Sequence, residues 1–202
     1  MRRTREIPEI EPFLSDESRW EGGRAEEAAF PQSAEEVSEL LSRCQRESRP
    51  VTVSGGGTGV AAGRVPQGGL VLATDRLNRV LEQLGPVGDA STGRMRVECG
   101  VSLAEVQRIA SEAGWHYPPD PTETGCWLGG NLATNASGAR TFRFGPTRRW
   151  VEGVRVALAD GQILEVPRGR YVARDGHFEL PRADGGTRVV PAPDWTPPPT
   201  TK

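Results

Sequence analysis

The stretch SGGGTGVAAG, Ser54–Gly63, places five glycines in ten residues directly after Val51-Thr52-Val53. The three β-branched residues read as a buried strand, so the glycines form a loop at a strand end. Glycine there removes side chains where a ligand or another backbone must come close, and it permits backbone angles closed to other residues. The chain's only lysine is Lys202, so no lysine follows the loop. A phosphate-binding P-loop needs that lysine, and a Schiff-base enzyme needs one as well. The dinucleotide fingerprint G-x-G-x-x-G also fails, because Val60 and Ala62 stand three residues after Gly57 and Gly59. This argues against a nicotinamide-binding fold of that type.

Upstream, FPQSAEEVSELLSRCQRE carries a capping box at Ser33 and Glu36, and Val37, Leu40, Leu41 and Cys44 recur at the spacing of one helical face. Downstream, LVLAT (Leu70–Thr74) is a second strand. A small α/β lobe results, over about 26–84. The segment Gly85–Gly93 reads as a loop or hairpin turn. MRVECG is then a strand, and VSLAEVQRIASEAGW a second helix, with a capping box at Ser102 and Glu105, a staple of Val101 on Val106, and Gly114 as its stop. VRVALADGQILEV alternates Val154, Val156 and Leu158 before Asp160-Gly161, a dipeptide of two-residue hairpins. A second, larger lobe with antiparallel strands follows, over about 94–190. Proline-rich PAPDWTPPPTTK from Pro191 reads as an extended connection.

With 202 residues and a net charge of −2, the chain lacks the basic excess of a general nucleic-acid binder, in spite of the arginines of ARTFRFGPTRRW. No apolar run approaches the roughly 20 residues that a membrane span requires, and a cytoplasmic location is the default expectation. Cys44, Cys99 and Cys126 are odd in number and far apart, which suggests reduced core thiols and no metal site. A second cluster of signals occupies YPPDPTETGCWLGGNLATNASGARTFRFG. Pro118, Pro119 and Pro121 stiffen the backbone, Gly129-Gly130 opens it, and Thr134, Asn135 and Ser137 supply short polar groups around Gly138. Such a surface suits a flat, partly polar ligand.

SGGGTG, PPDPT, LGGNLATNASGAR and FGPTRRWVEGVRVALADGQIL, in that order and spacing, resemble the FAD-linked oxidase family of the vanillyl-alcohol-oxidase type, with its PCMH-type FAD-binding domain. The likeness runs from FLSDESRWEGG to the end of the chain. Within the family it is nearest the bacterial D-2-hydroxy-acid dehydrogenases related to D-lactate dehydrogenase and the glycolate oxidase flavin subunit. The resemblance implies an α+β, two-lobed domain over 26–190, preceded by an extension (1–25) and followed by a connection (191–202) to a substrate or cap domain. It places the FAD pyrophosphate on Gly55, Gly56, Gly57, Thr58 and Gly59. It lines the flavin and ribityl side with Pro121, Thr122, Gly129, Gly130, Asn135, Ser137 and Gly138, and sets Gly145 and Val154 near the nucleotide. Successive N–H groups of a glycine-rich turn form an anion-binding concavity without lysine.

Two departures qualify the implication. Members that attach the flavin covalently through this loop use a histidine where this chain has Gly57-Thr58-Gly59, so the FAD is expected to be non-covalent. Many relatives also carry arginine where Ser54 stands. His116 and His177, the two histidines, fall on no family motif and read as ordinary loop residues; Arg140, Arg143, Arg148 and Arg149 read as solvated or internally paired. No catalytic base and no metal ligand is assigned, the base being expected beyond Lys202, so that the chain alone is expected to be inactive. The implied reaction is oxidation of a D-2-hydroxy acid (D-lactate, D-2-hydroxyglutarate or glycolate-like) to the 2-oxo acid by hydride transfer to FAD, with an electron acceptor or partner subunit. The alternative is a flavin-binding subunit of a larger oxidoreductase without a substrate site of its own.

Overall fold

The computed structural model describes residues 1–87 and 92–194. Of the expected turn at Gly85–Gly93, residues 88–91 lie outside the described residues, as do residues 195–202 of the expected connection.

A four-stranded sheet organises the first part of the chain. It is built from β1 (Arg2–Thr4), β2 (Glu27–Phe30), β3 (Val51–Ser54) and β4 (Leu70–Ala73), in the order β1-β2-β4-β3. β2 and β3 run parallel to β4, which sets Ala28 and Thr52 opposite Val71, and β1 runs antiparallel to β2. Every residue of β4 is buried, because it has neighbours on both edges and packing on both faces. Alternate residues serve opposite layers. Ala29, Leu70 and Leu72 face Leu40 and Cys44 of α2 (Ala34–Arg46), and Ala28, Phe30, Val71 and Ala73 face Ile10 of α1 (Ile7–Ile10) with Phe13 and Leu14. The expected helical face of Val37, Leu40, Leu41 and Cys44 is therefore the one that packs.

Three local expectations change. β3 is the edge strand of its sheet, and Val53 is 56% exposed, so the strand before the glycines is half-open rather than buried. The first residues are not a free extension, since Arg2–Thr4 extends the sheet. The capping box of α2 is shifted: Ser33 Oγ accepts from the Glu36 N–H at 3.2 Å, but the Glu36 carboxylate accepts from the N–H of Gln32 at 2.8 Å, one residue before the cap.

Among the described residues, the rest of the chain forms short helices and three antiparallel hairpins. β5 (Val80–Val87) pairs with β6 (Thr92–Val97), β7 (Gly153–Ala157) with β8 (Ile163–Pro167), and β9 (His177–Pro181) with β10 (Thr187–Pro191). Gly85–Val87 and Thr92-Gly93 are thus strand residues, and the chain passes the expected lobe boundary at Leu84 inside a hairpin. Pro191 ends β10, opposite His177. Between β6 and β7 lie α3 (Leu103–Glu112), α4 (Leu128–Thr134) and α5 (Thr141–Phe144). α3 starts as the sequence predicts, with Ser102 Oγ accepting from the Glu105 N–H at 3.1 Å and Val101 and Val106 both buried. The β7–β8 turn differs from the predicted two-residue form. The N–H of Leu158 bonds the Gln162 carbonyl at 2.8 Å, that of Gly161 bonds the Leu158 carbonyl at 2.9 Å, and Gly161 has φ +88°. This is a three-residue loop closed by a glycine in the left-handed region.

Candidate functional site

The glycine loop leaves the carboxyl end of β3, where the parallel strands of an α/β unit open a crevice. Its root is fixed. Ser54 is buried, and its carbonyl accepts from both the N–H of Thr74 (3.0 Å) and the Thr74 hydroxyl (2.9 Å), just past the end of β4. Beyond that root, two loop carbonyls are engaged. Gly55 accepts from Arg64 Nη1 at 3.1 Å, and Gly57 accepts from the N–H of Glu17 at 3.2 Å. In a trans peptide the next N–H points opposite to the carbonyl, so the N–H groups of Gly56 and Thr58 face away from these partners. Among the described residues, none of the N–H groups from Gly55 to Gly59 donates a hydrogen bond within the chain. The cradle is bare on that side: Gly55 carries open space where a Cβ would stand.

Gly57 answers to geometry as well. Its φ is +80°, and a Cβ there would lie 2.5 Å from Arg64 Cζ. The guanidinium of Arg64 fills the space beneath the loop. Nε donates to the Ser15 carbonyl (2.9 Å), Nη2 to the Pro12 carbonyl (2.7 Å), and Nη1 also to Ser54 Oγ (3.2 Å). Nothing in the sequence pattern singled out Arg64, because its partners lie 9 to 52 positions away in the chain.

The second cluster reaches the first through Trp127, also missed in the sequence, whose indole lies 3.3 Å from where a Gly56 Cβ would be. Trp127 precedes α4, so Gly129 and Gly130 occupy the helix's first turn. Gly129 is needed for packing: its Cβ would meet Cys99 Cβ at 2.6 Å, and its N–H bonds the Cys99 carbonyl at 2.8 Å. Gly130 is exposed with open space around it. Asn135 ends α4 at φ +52°, and its Oδ1 accepts from the N–H of Arg148 at 3.0 Å. Thr134 bonds back to the Gly130 carbonyl at 2.9 Å, so its hydroxyl is occupied in its own helix. Pro121 and Gly138 form an antiparallel bridge in which a Cβ on Gly138 would overlap the Asp120 carbonyl. PPDPT and NASG are therefore one structural unit, with Thr122 and Ser137 exposed beside it.

Gly145 and Val154 belong to a different neighbourhood. Gly145 has φ +80° and closes α5 on the Thr141 carbonyl at 2.8 Å. Val154 lines a shallow hollow with Leu132, Arg148 and Val166. Of the arginines clustered after α4, Arg140, Arg143 and Arg148 are engaged internally. Arg148 donates to the Leu132 and Ala133 carbonyls, Arg140 lies 3.5 Å from Asp120 and 3.0 Å from His116 Nε2, and Arg143 stacks over Phe144. His177 begins β9, with Nδ1 3.1 Å from the Asp175 carbonyl. Of the cysteines, Cys44 and Cys126 are buried but Cys99 is exposed, since it sits in the turn between β6 and α3. Burial pushes the Tyr117 hydroxyl up to about 12 and raises the Cys126 thiol. Both shifts favour the neutral form, so neither group is tuned as a base.

Residues 25–167 match the FAD binding domain family. The chain belongs to that family, and FAD is its cofactor. The D-2-hydroxyglutarate dehydrogenase of Xanthomonas citri pv. viticola is 39% identical over 140 residues, 68% of this chain and 29% of that protein. The D-lactate dehydrogenase of Anaerostipes hadrus is 34% identical over 158 residues, 77% and 32% of the two chains. The chain spans about a third of the length of these curated relatives. The solved structure of 6-hydroxy-D-nicotine oxidase from Arthrobacter nicotinovorans superposes with a TM-score of 0.66 at 18% identity, over 80% of this chain and 34% of that one. That likeness is one of fold. The residues present fit the cofactor: a bare glycine cradle with undonated N–H groups suits a diphosphate, and an open small-residue surface beside it suits a flat ring system.

Proposed function

We propose that this chain holds FAD non-covalently, with the diphosphate on Gly55–Gly59 and the flavin side against Pro121, Thr122, Gly130, Ser137 and Gly138, in an enzyme that oxidises a D-2-hydroxy acid to the 2-oxo acid. The observation that carries the reading is the row of undonated N–H groups on the glycine loop. A hydrogen bond to a charged oxygen contributes about 1.5–3 kcal/mol net, so four such bonds correspond to roughly micromolar holding or tighter. Thr58 has the one side-chain hydroxyl of residues 55–59 and offers a further donor. Gly129 and Asn135 act at one remove. The first lets α4 approach Cys99, and the second ends α4 and fixes the backbone at Arg148, so both shape the surface rather than offer it a free side chain. Gly145 and Val154 fit the periphery of the nucleotide.

FAD supplies the two-electron acceptor, and this chain's residues bind and orient it. Residues 55–59 hold no histidine or cysteine, which supports a non-covalent cofactor. The hydroxy-acid substrate class follows the names of the relatives, and an electron acceptor reoxidises the flavin. Among the described residues, no helix is long and apolar enough to cross a membrane.

FAD added to the chain should quench on binding and, after acid precipitation, remain in the supernatant. Yellow pellet after a denaturing wash would contradict the non-covalent reading. The protein that carries this domain should reduce a dye with D-lactate or D-2-hydroxyglutarate and not with the L enantiomers. Equal rates with both would contradict the substrate class.

A further inference from the structure

Among the half-buried guanidiniums without an ion pair in the described residues, which include Arg43 and Arg76, Arg64 is the one whose hydrogen bonds reach the glycine loop. It is half-buried, and its recorded acceptors are three backbone carbonyls and one hydroxyl. Among the described residues, no carboxylate lies within ion-pair distance of it. Asp16 is the acid whose field it feels, yet Asp16 Oδ1 is taken by the Ser18 N–H, and the pair is not in contact. Arg148 and Arg168 also donate to carbonyls only, but both are exposed, so water disperses their charge. A guanidinium does not lose its proton in a protein. Positive charge is therefore held in a partly desolvated place, 2.5 Å from where a Gly57 Cβ would stand, directly behind a loop whose free N–H groups face the other way.

We infer that Arg64 is a positioning residue of the anion cradle: by taking the Gly55 carbonyl it turns the Gly56 N–H outward, and its charge, which no carboxylate meets within ion-pair distance, favours a diphosphate laid on the loop's open face. This rests on the FAD reading of the loop and adds to it the residue that sets its preference for a doubly charged group. The glycine at position 57 is then explained twice, by its backbone angle and by the guanidinium that must lie against it. The charge acts across one layer of backbone, so its effect is screened by salt, whereas a purely mechanical brace would not be.

FAD titrations of the 202-residue chain, followed by flavin fluorescence from about 20 to about 300 mM NaCl, separate the two roles, since the screening length shrinks from roughly 20 to 6 Å over that span. The wild type is expected to weaken as salt rises. Arg64→Gln is expected to bind about 10-fold more weakly at low salt and with a flatter salt dependence, so that the two curves converge at high salt. Arg64→Lys, which keeps the charge and loses the fork, is expected to restore the salt slope. A wild type that binds no FAD would sink the reading of the loop itself. A wild type that binds FAD, with Arg64→Gln matching its affinity or displaced equally at all salt concentrations, would overturn the role of Arg64 and leave the loop reading standing. Should Arg64→Gln fail to fold, the slope of Arg64→Lys decides: a wild-type slope supports the inference, and a flat one overturns it.

Discussion

Glu27 and Arg64 are both partly or wholly buried charges, and the chain treats them in opposite ways. The Glu27 side chain is 3% exposed at the start of β2 and is met by three guanidiniums: Arg49 at 2.7 Å, Arg5 at 3.9 Å, and Arg3 in direct contact. Burial alone would raise its pKa, but Arg49 and Arg3 reverse the sign and hold it below its ordinary value. That charge is answered from within, at the strand end far from the glycine loop's exit. Arg64, at the opposite end of the same sheet, is answered by three carbonyls and a hydroxyl, with Asp16 acting on it only from beyond ion-pair distance. A charge balanced by charge ties the fold together. A charge balanced only by dipoles leaves attraction over for a ligand, and the contrast separates a structural ion site from a binding one.

The largest effect is expected from Gly57→Val. A β-branched residue at φ +80° is strained, and its Cβ would displace the Arg64 guanidinium. FAD affinity should fall by about 100-fold, near 2.7 kcal/mol. Val60→Ala, at a residue 78% exposed in the same loop, should change it by less than about 2-fold, because little packing is removed. Similar dissociation constants for the two variants would end the assignment of the diphosphate to this loop.

Glu27→Gln should produce the inverse result: a loss of stability with FAD affinity unchanged. Removing one partner of a buried pair costs about 3–5 kcal/mol, but Arg3 and Arg49 are 32% and 20% exposed and regain water, so about 2 kcal/mol is expected from urea unfolding. A change in FAD affinity without loss of stability would erase the distinction between the two sites.

Acid sharpens the same contrast. A carboxylate whose pKa is lowered on folding contributes stability that is fully present above its unfolded value, here near 4.5, and is lost as pH falls through the lower folded value. Glu98, paired with Arg79 at 2.7 Å, is lowered in the same way. Wild-type stability should therefore decline below about pH 4.5, with a smaller decline in Glu27→Gln, so that the urea midpoints of the two draw together at about pH 3. Parallel midpoints from pH 7 to pH 3 would show that Glu27 is not depressed by its arginines.

What the sequence disclosed follows the range of each interaction. α2 and α3 were legible because a cap and an apolar face lie within a few residues of each other. The glycine loop was legible because a close approach to backbone needs the absence of side chains, and absence is visible in sequence. The edge position of β3 was hidden, since Val51-Thr52-Val53 is the same string whether β4 lies on one side of it or strands lie on both. The pairing of Arg2–Thr4 with β2 was hidden for the same reason. Asn135 and Gly129, expected at the site, have local work in the structure, in ending α4 and in letting it approach Cys99. Arg64 and Trp127 were missed because the loop comes to them only after the sheet and α4 are assembled.

The smallest effect tests whether the two halves of that comparison are independent. Ser33 Oγ accepts from the Glu36 N–H at 3.2 Å and begins the helix that covers one face of the sheet. Ser33→Ala leaves that N–H without its cap, at a cost of about 1 kcal/mol, or a fall in Tm of roughly 2–4 °C in a chain of this size. The body of the helix is anchored by Leu40 and Cys44 on Leu70 and Leu72, so fraying should stop within the first turn. That turn is nonetheless tied to the hairpin that carries Val154: Glu35 pairs with Arg155 at 3.1 Å, and Ser38 donates to the Gly161 carbonyl. If the hairpin is held by these ties alone, loosening the cap reaches the nucleotide side and FAD affinity drops with Tm. Leu164 is buried on β8 and gives the hairpin packing of its own, so the expectation is a lower Tm with FAD affinity within about 2-fold of wild type, a change of under 0.5 kcal/mol. A larger drop in affinity would show that the α2 cap and the cofactor site are coupled through β7 and β8.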